Sequence, residues 1–145
     1  ATEYAAKHEA ELPNHVAAIE SDGGVFQPTG FSVECADADC ERIAAEQVRD
    51  AVRLLEPLGP MSIDTGWSGA DIGPMRSAGV VLMGHRVESS TYFNLHHSHA
   101  DTIDKVDPEE LSKNVAAMAV MAYVLADMPE RIGRPTNSAE TVGSK

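Results

Sequence analysis

Apolar and polar residues follow one another along this chain in blocks of changing period, and each change marks an element. Thr2 to Leu12, rich in Ala, Glu and Lys, predicts a short helix that Pro13-Asn14 ends. His15 to Glu20 predicts a strand entering buried surroundings, and it runs straight into Ser21-Asp22-Gly23-Gly24. Gly23 to Ser32 predicts loop, with Pro28 and Gly30 as breakers. From Asp37 to Leu55, Ile43, Val48, Ala51, Val52 and Leu55 give one helical apolar face, and Asp37, Asp39 and Glu41 complement the dipole at its start. Pro57, Gly59 and Pro60 stop that helix. Met61 to Asp64 predicts a short strand, Gly66 to Asp71 a loop, Ile72 to Ala78 a short helix, and Val80 to Met83 a buried strand.

The best-defined element is a helix from Pro108 to Asp127. Asp107 is placed as its N-cap, Pro108 takes the first helical position, and Glu110 stands where a capping box would be completed. Leu111, Val115, Met118, Ala122 and Leu125 form the predicted apolar face, widened by Met121 and Val124, so the helix is expected to be buried on most sides. Residues 129–145 hold Gly, Pro, Ser and Asn with few apolar side chains and predict a mobile tail. No repeat or linker divides residues 1–128, which read as one domain. The order, a helix followed by β-α-β-α-β-α, predicts an α/β fold on three strands. Such a sheet is thin for these helices and is expected to leave an edge open.

Composition narrows the partners. A net charge of −12 argues against nucleic acid and anionic membrane surfaces, which would be repelled. No apolar run approaches the ~20 residues of a membrane span, and no signal segment opens the chain. Ala1 stands where Met would begin a gene product, which suggests an internal or processed start. Cys35 and Cys40 either close a small disulfide loop or remain two free thiols. The carboxylates of Asp37 and Asp39 between them do not make a structural zinc site.

Candidate chemistry concentrates at His96-His97-Ser98-His99-Ala100-Asp101-Thr102, which gathers three of the six histidines beside a carboxylate. Imidazole is the commonest side-chain metal ligand. A solvated His-rich loop would look the same taken alone. Asp22 is the second candidate, because open α/β sheets place their chemistry at the carboxyl ends of strands. An Asp before glycines is also a common turn former.

Together these segments are similar to the carboxyl-terminal part of the zinc peptidases related to carboxypeptidase Q, within the co-catalytic di-zinc aminopeptidases. The resemblance rests on Ala18-Ile19-Glu20-Ser21-Asp22-Gly23-Gly24, Pro28-Thr29-Gly30, Gly69-Ala70-Asp71-Ile72, Ser77-Ala78-Gly79-Val80, Tyr92-Phe93, the His96–Thr102 run and Val106-Asp107-Pro108. It implies a three-layer α/β/α sandwich, here with a partial sheet. It also implies two zinc ions about 3–4 Å apart that activate a water and polarise a peptide carbonyl. Asp22 resembles the terminal Asp ligand of one zinc and His97 the terminal His ligand of the other. His96, His99, Asp101 and Asp71 are expected to touch the ligands or face the substrate, Trp67 to serve packing, and His8, His15 and His85 to have no functional role.

The chain departs from the family where it matters most. The His-x-Asp element and the Glu-Glu pair that supply the remaining ligands and the general base should precede Asp22 by many residues, and only 21 residues precede it here. Glu109-Glu110, the one Glu-Glu pair, lies at a helix start. No catalytic residue is therefore assigned. One protein ligand per zinc cannot hold a catalytic ion, which usually keeps three.

The resemblance implies part of an exopeptidase acting on dipeptides or short peptides, inactive by itself. Its partners would be a peptide substrate and the missing amino-terminal portion, with homo-oligomerisation open and a secreted or periplasmic setting. The competing readings are a non-catalytic binding module with a degenerate peptidase fold, and a small metal-binding protein using the His96–Asp101 cluster. A three-stranded sheet exposing Val80 to Met83 at a bare edge would favour the fragment over the module.

Overall fold

The computed structural model describes residues 2–135. Helix α1 spans Thr2–Lys7 and is followed by a 3-10 turn at Leu12–Asn14, so the amino-terminal helix is shorter than its composition predicts. Strand β1 is Ala17–Glu20 and β2 is Pro28–Glu34. Helix α2, Ala38–Arg53, is capped by the Asp37 carboxylate, which accepts from the Cys40 N–H at 2.9 Å. Strand β3 is Ser62–Thr65, a 3-10 turn covers Gly73–Ala78, and β4 is Val81–Val87. The short α3, Tyr92–Leu95, precedes the long α4, Pro108–Asp127.

The sheet has four strands rather than three, in the order β1-β4-β2-β3. β1 runs parallel to β4, β2 parallel to β3, and the two pairs meet antiparallel between β2 and β4. The missed strand is β2, whose Pro28 and Gly30 read as breakers. Pro28 is tolerated because it opens the strand, and the ladder with β4 shifts register between Pro28 and Gly30. Gly30 has φ +137° and lies against the Ser62 backbone, where a side chain would collide. Beyond them Phe31, Ser32, Val33, Glu34 and Cys35 are all buried.

Because β4 is interior, Val80 to Met83 are covered rather than left at a bare edge, so the sheet edge does not favour a fragment over a self-contained binding module. On one sheet face Phe31, Val33, Val81 and Met83 pack with Val48 and Leu55 of the α2 region and with Ala117, Met121 and Leu125 of α4. The alternate residues Val80 and Leu82 meet Leu12, Ile72 and Met75 on the opposite face, a thinner layer. The molecule is therefore α/β with a partial mixed sheet.

Helix α4 occupies the predicted residues and buries Met121 and Leu125 as expected, but its inner face is turned away from Leu111, Val115 and Ala122 toward Asn114 and Ala117. Asn114, Ala117, Met121 and Leu125 point inward, while Leu111 and Ala122 are exposed and Val115 is 60% exposed. Apolar residues surround this helix so nearly completely that their pattern selects no side. Asn114 does, by donating to the Phe26 carbonyl across the gap and to the Glu110 carbonyl, both at 2.7 Å. Asp107 caps α4 by accepting from the Glu109 and Glu110 N–H groups, but no capping box closes, since the Glu110 carboxylate turns to Lys113.

Cys35 and Cys40 are disulfide-bonded, their Cα atoms 5.9 Å apart, and tie the end of β2 to the first turn of α2. The first residues of the expected mobile tail are docked. Ile132 is buried, Arg131 donates to the Pro13 and His15 carbonyls, and Gln47 holds both the Gly133 N–H and the Arg134 carbonyl. The rest of that tail, 136–145, lies outside the described residues.

Candidate functional site

Two adjoining cavities open beyond the carboxyl ends of the parallel strands β1 and β4, and Asp22 and Tyr92 line both. The larger, about 440 Å³, is bounded by Glu20, Ser32, Trp67, Ser68 and His85. The smaller, about 320 Å³, is bounded by Phe26, His96, His97, Asp101 and Lys105. Asp22 and His97, 75 positions apart in sequence, therefore face one space.

The walls follow from local folding. Asp22 leaves the sheet two residues after β1 ends and is exposed. The loop opposite is held by two carboxylates from the strands on either side of β4. Glu20 accepts from the Asp71 and Ile72 N–H groups at 2.8 and 3.1 Å, and Glu34 accepts from the Ser68 N–H at 3.0 Å and from Arg76. Gly69 leaves room for the Glu20 carboxylate, and Gly84 admits the loop to the sheet surface. A Cβ on Gly84 would stand 2.6 Å from both Ser32 Oγ and the Ser68 carbonyl. Trp67, expected to pack, is instead 73% exposed at the rim of the larger cavity. With its neighbours drawn to the sheet by Glu20 and Glu34, the indole is left outside.

The second wall is an aromatic column. Tyr92 stacks on His96 at 4.5 Å between ring centroids, and His96 on His97 at 3.8 Å. Among the described residues His97 alone combines a side chain with positive φ, at +52°. That left-handed turn is costly for most residues, and His is among those that adopt it more readily. Hydrogen bonds from Lys105 and Thr102 hold the Asp104 carboxyl down to about 2, so an anion sits beside the one cation of this wall. His99 is exposed and lines neither cavity. Asp71 also lines neither, and its backbone N–H is used by Glu20.

The structure gives work to residues the sequence reading passed over. Glu20 and Glu34 organise the Trp67 loop, and His85, assigned no role, is buried with Nδ1 3.1 Å from Ser21 Oγ. Burial lowers the pKa of His85. Glu20 carried a signal, since it follows Ala18 on a strand face that is otherwise apolar. His85 carried none, because nothing local marks β4 as extending past Met83.

Among the described residues no three His, Cys, Asp or Glu side chains are grouped to hold a metal ion. The donors that share the smaller cavity, Asp22 and His97 with His96 and Asp101 nearby, match zinc in kind but not in number or grouping.

Over 134 residues, 92% of its length, the chain is 34% identical to carboxypeptidase Q of Mus musculus and to that of Homo sapiens, and 31% identical to that of Xenopus laevis. The match takes in 27% of the mouse and human proteins, so the chain spans about a quarter of the length of these relatives. No protein-family model matches the chain. No solved structure matches it. The likeness drawn from those seven short segments is thus carried by nearly the whole chain.

Proposed function

We propose, from the premise that this is a carboxypeptidase Q-like chain, that it is the carboxyl-terminal part of a zinc-dependent exopeptidase acting on dipeptides or short peptides. The observation that carries this reading is the meeting of Asp22 and His97 on one cavity, at the two positions where the resemblance puts metal ligands. Each would serve a different zinc ion, and the remaining donors and the general base would come from outside this chain. Zinc, when bound, would supply an activated water and polarise the scissile carbonyl.

This chain's own part is to present the two donors and to shape the space beside them. The larger cavity, adjoining Asp22 and rimmed by Trp67, has room for a substrate side chain. A secreted or periplasmic setting accords with the Cys35–Cys40 disulfide, since such bonds persist in oxidising compartments. By itself the chain should hydrolyse nothing, because one donor for each zinc ion leaves both ions under-coordinated and the general base lies outside it.

Zinc titration of the chain, read by competition with a chromophoric chelator, tests the ligand assignment. The expected result is weak binding that Asp22→Ala and His97→Ala each reduce at least tenfold and that His99→Ala leaves unchanged. Equal losses from His97→Ala and His99→Ala with none from Asp22→Ala would replace the peptidase geometry with a local histidine cluster. Measurable dipeptide hydrolysis by the chain alone would overturn the division of the site.

A further inference from the structure

We propose that His85 is a positioning residue that fixes where Asp22 leaves the sheet, acting through Ser21. The two strands pair from Ala17 opposite Val81 to Glu20 opposite Gly84, and there the backbone ladder of β1 ends. The next pair in register would be Ser21 and His85. In place of a backbone bond, the Ser21 hydroxyl and His85 Nδ1 lie 3.1 Å apart, so a side-chain hydrogen bond carries the register one residue further. Asp22 follows immediately.

The anchor is rigid. His85 is 5% exposed and its ring lies 5.2 Å from that of Phe31, which is wholly buried. Its second nitrogen, Nε2, is buried and has no protein partner. A phenyl ring would fill the same space without burying an unpaired nitrogen, so packing does not account for a histidine here. The bond to Ser21 does. Consecutive residues of β4 thereby serve the larger cavity from the two sheet faces, Gly84 by admitting the Ser68 loop and His85 by holding Ser21, the residue before Asp22.

What Asp22 does once positioned rests on the ligand reading given above; the positioning itself does not. Backbone amide order parameters of Asp22 and Gly23, measured by ¹⁵N relaxation on the whole chain, read it directly. They should be near the rigid value of about 0.85 in the natural chain and fall toward about 0.6 in Ser21→Ala and in His85→Phe. His85→Asn, which keeps a hydrogen-bonding atom near the place of Nδ1, should restore them. Ser21 is exposed, so its variant keeps the test open if His85→Phe fails to fold. Order parameters unchanged in Ser21→Ala, or kept by His85→Phe and lost in His85→Asn, would overturn the proposal in favour of plain packing. Zinc affinity measured alongside separates the two ideas. A mobile Asp22 with unaltered zinc binding supports the role of His85 and removes Asp22 as a ligand.

Discussion

The two sides of the candidate site are built by opposite means. Asp22 hangs from the end of a paired strand, one residue past a hydrogen bond to a buried imidazole. His97 hangs from an irregular segment between β4 and α4 that is held mainly by its own short-range bonds, such as Ser98 Oγ to the Leu95 carbonyl and the Ala100 N–H to Ser98 Oγ. Phe93 and Ile103 in that segment are 82% and 86% exposed. One side chain is thus positioned by the end of a sheet strand and the other by a loosely packed loop. Segments with few buried contacts open at low free-energy cost, and a ligand that bridges both sides would have to order the second.

The contrast can be broken first at the core. Met121→Ala removes a wholly buried side chain beneath the sheet and should cost about 2–5 kcal/mol, seen as a lower denaturant midpoint for the whole chain. A loss much under 1 kcal/mol would mean that α4 does not support the strands as described.

A pH series sharpens the comparison on the Asp22 side. Burial holds the His85 pKa below its usual 6.5, so the unfolded chain takes up that proton first as pH falls. The stability associated with neutral His85 is complete above about pH 6.5. It declines as pH drops through the folded-state pKa and changes no further below it. The difference in Tm between the natural chain and His85→Phe, followed from pH 8 to pH 4, isolates this contribution. A difference independent of pH would contradict it.

The smallest effect belongs to the His97 side. Ile103→Ser touches an exposed side chain in the softly held segment and should change stability by no more than about 0.5 kcal/mol. A loss of 2 kcal/mol would show that the segment is packed more firmly than its contacts indicate.

Much of the fold was legible in contiguous residues. The cap at Asp107, the proline after it and the long apolar run fix α4 to the residue. Asp37 and the apolar face after it place α2 almost as well. The strand β2 was hidden because Pro28 and Gly30 are turn formers wherever no bulge or close backbone contact explains them. The buried face of α4 was hidden because a helix apolar all round offers no choice until a polar partner, the Phe26 carbonyl, is supplied from elsewhere. At the site, Asp22 and His97 were visible through their flanking motifs. Glu20 and His85 do their work through groups 52 or 64 positions away, and no window of sequence contains both partners.

The ends and lengths of α2 and α4, and the residue types gathered at the candidate site, depend on neighbours along the chain, so the sequence determined them nearly unaided, although it overran α1. Strand order β1-β4-β2-β3, the antiparallel meeting of its two halves and the shared cavity of Asp22 and His97 were decided only on folding. The reason is that these depend on contacts between residues far apart in the chain. Each such contact must offset the entropy of closing a loop, and local propensity carries no record of which loops close.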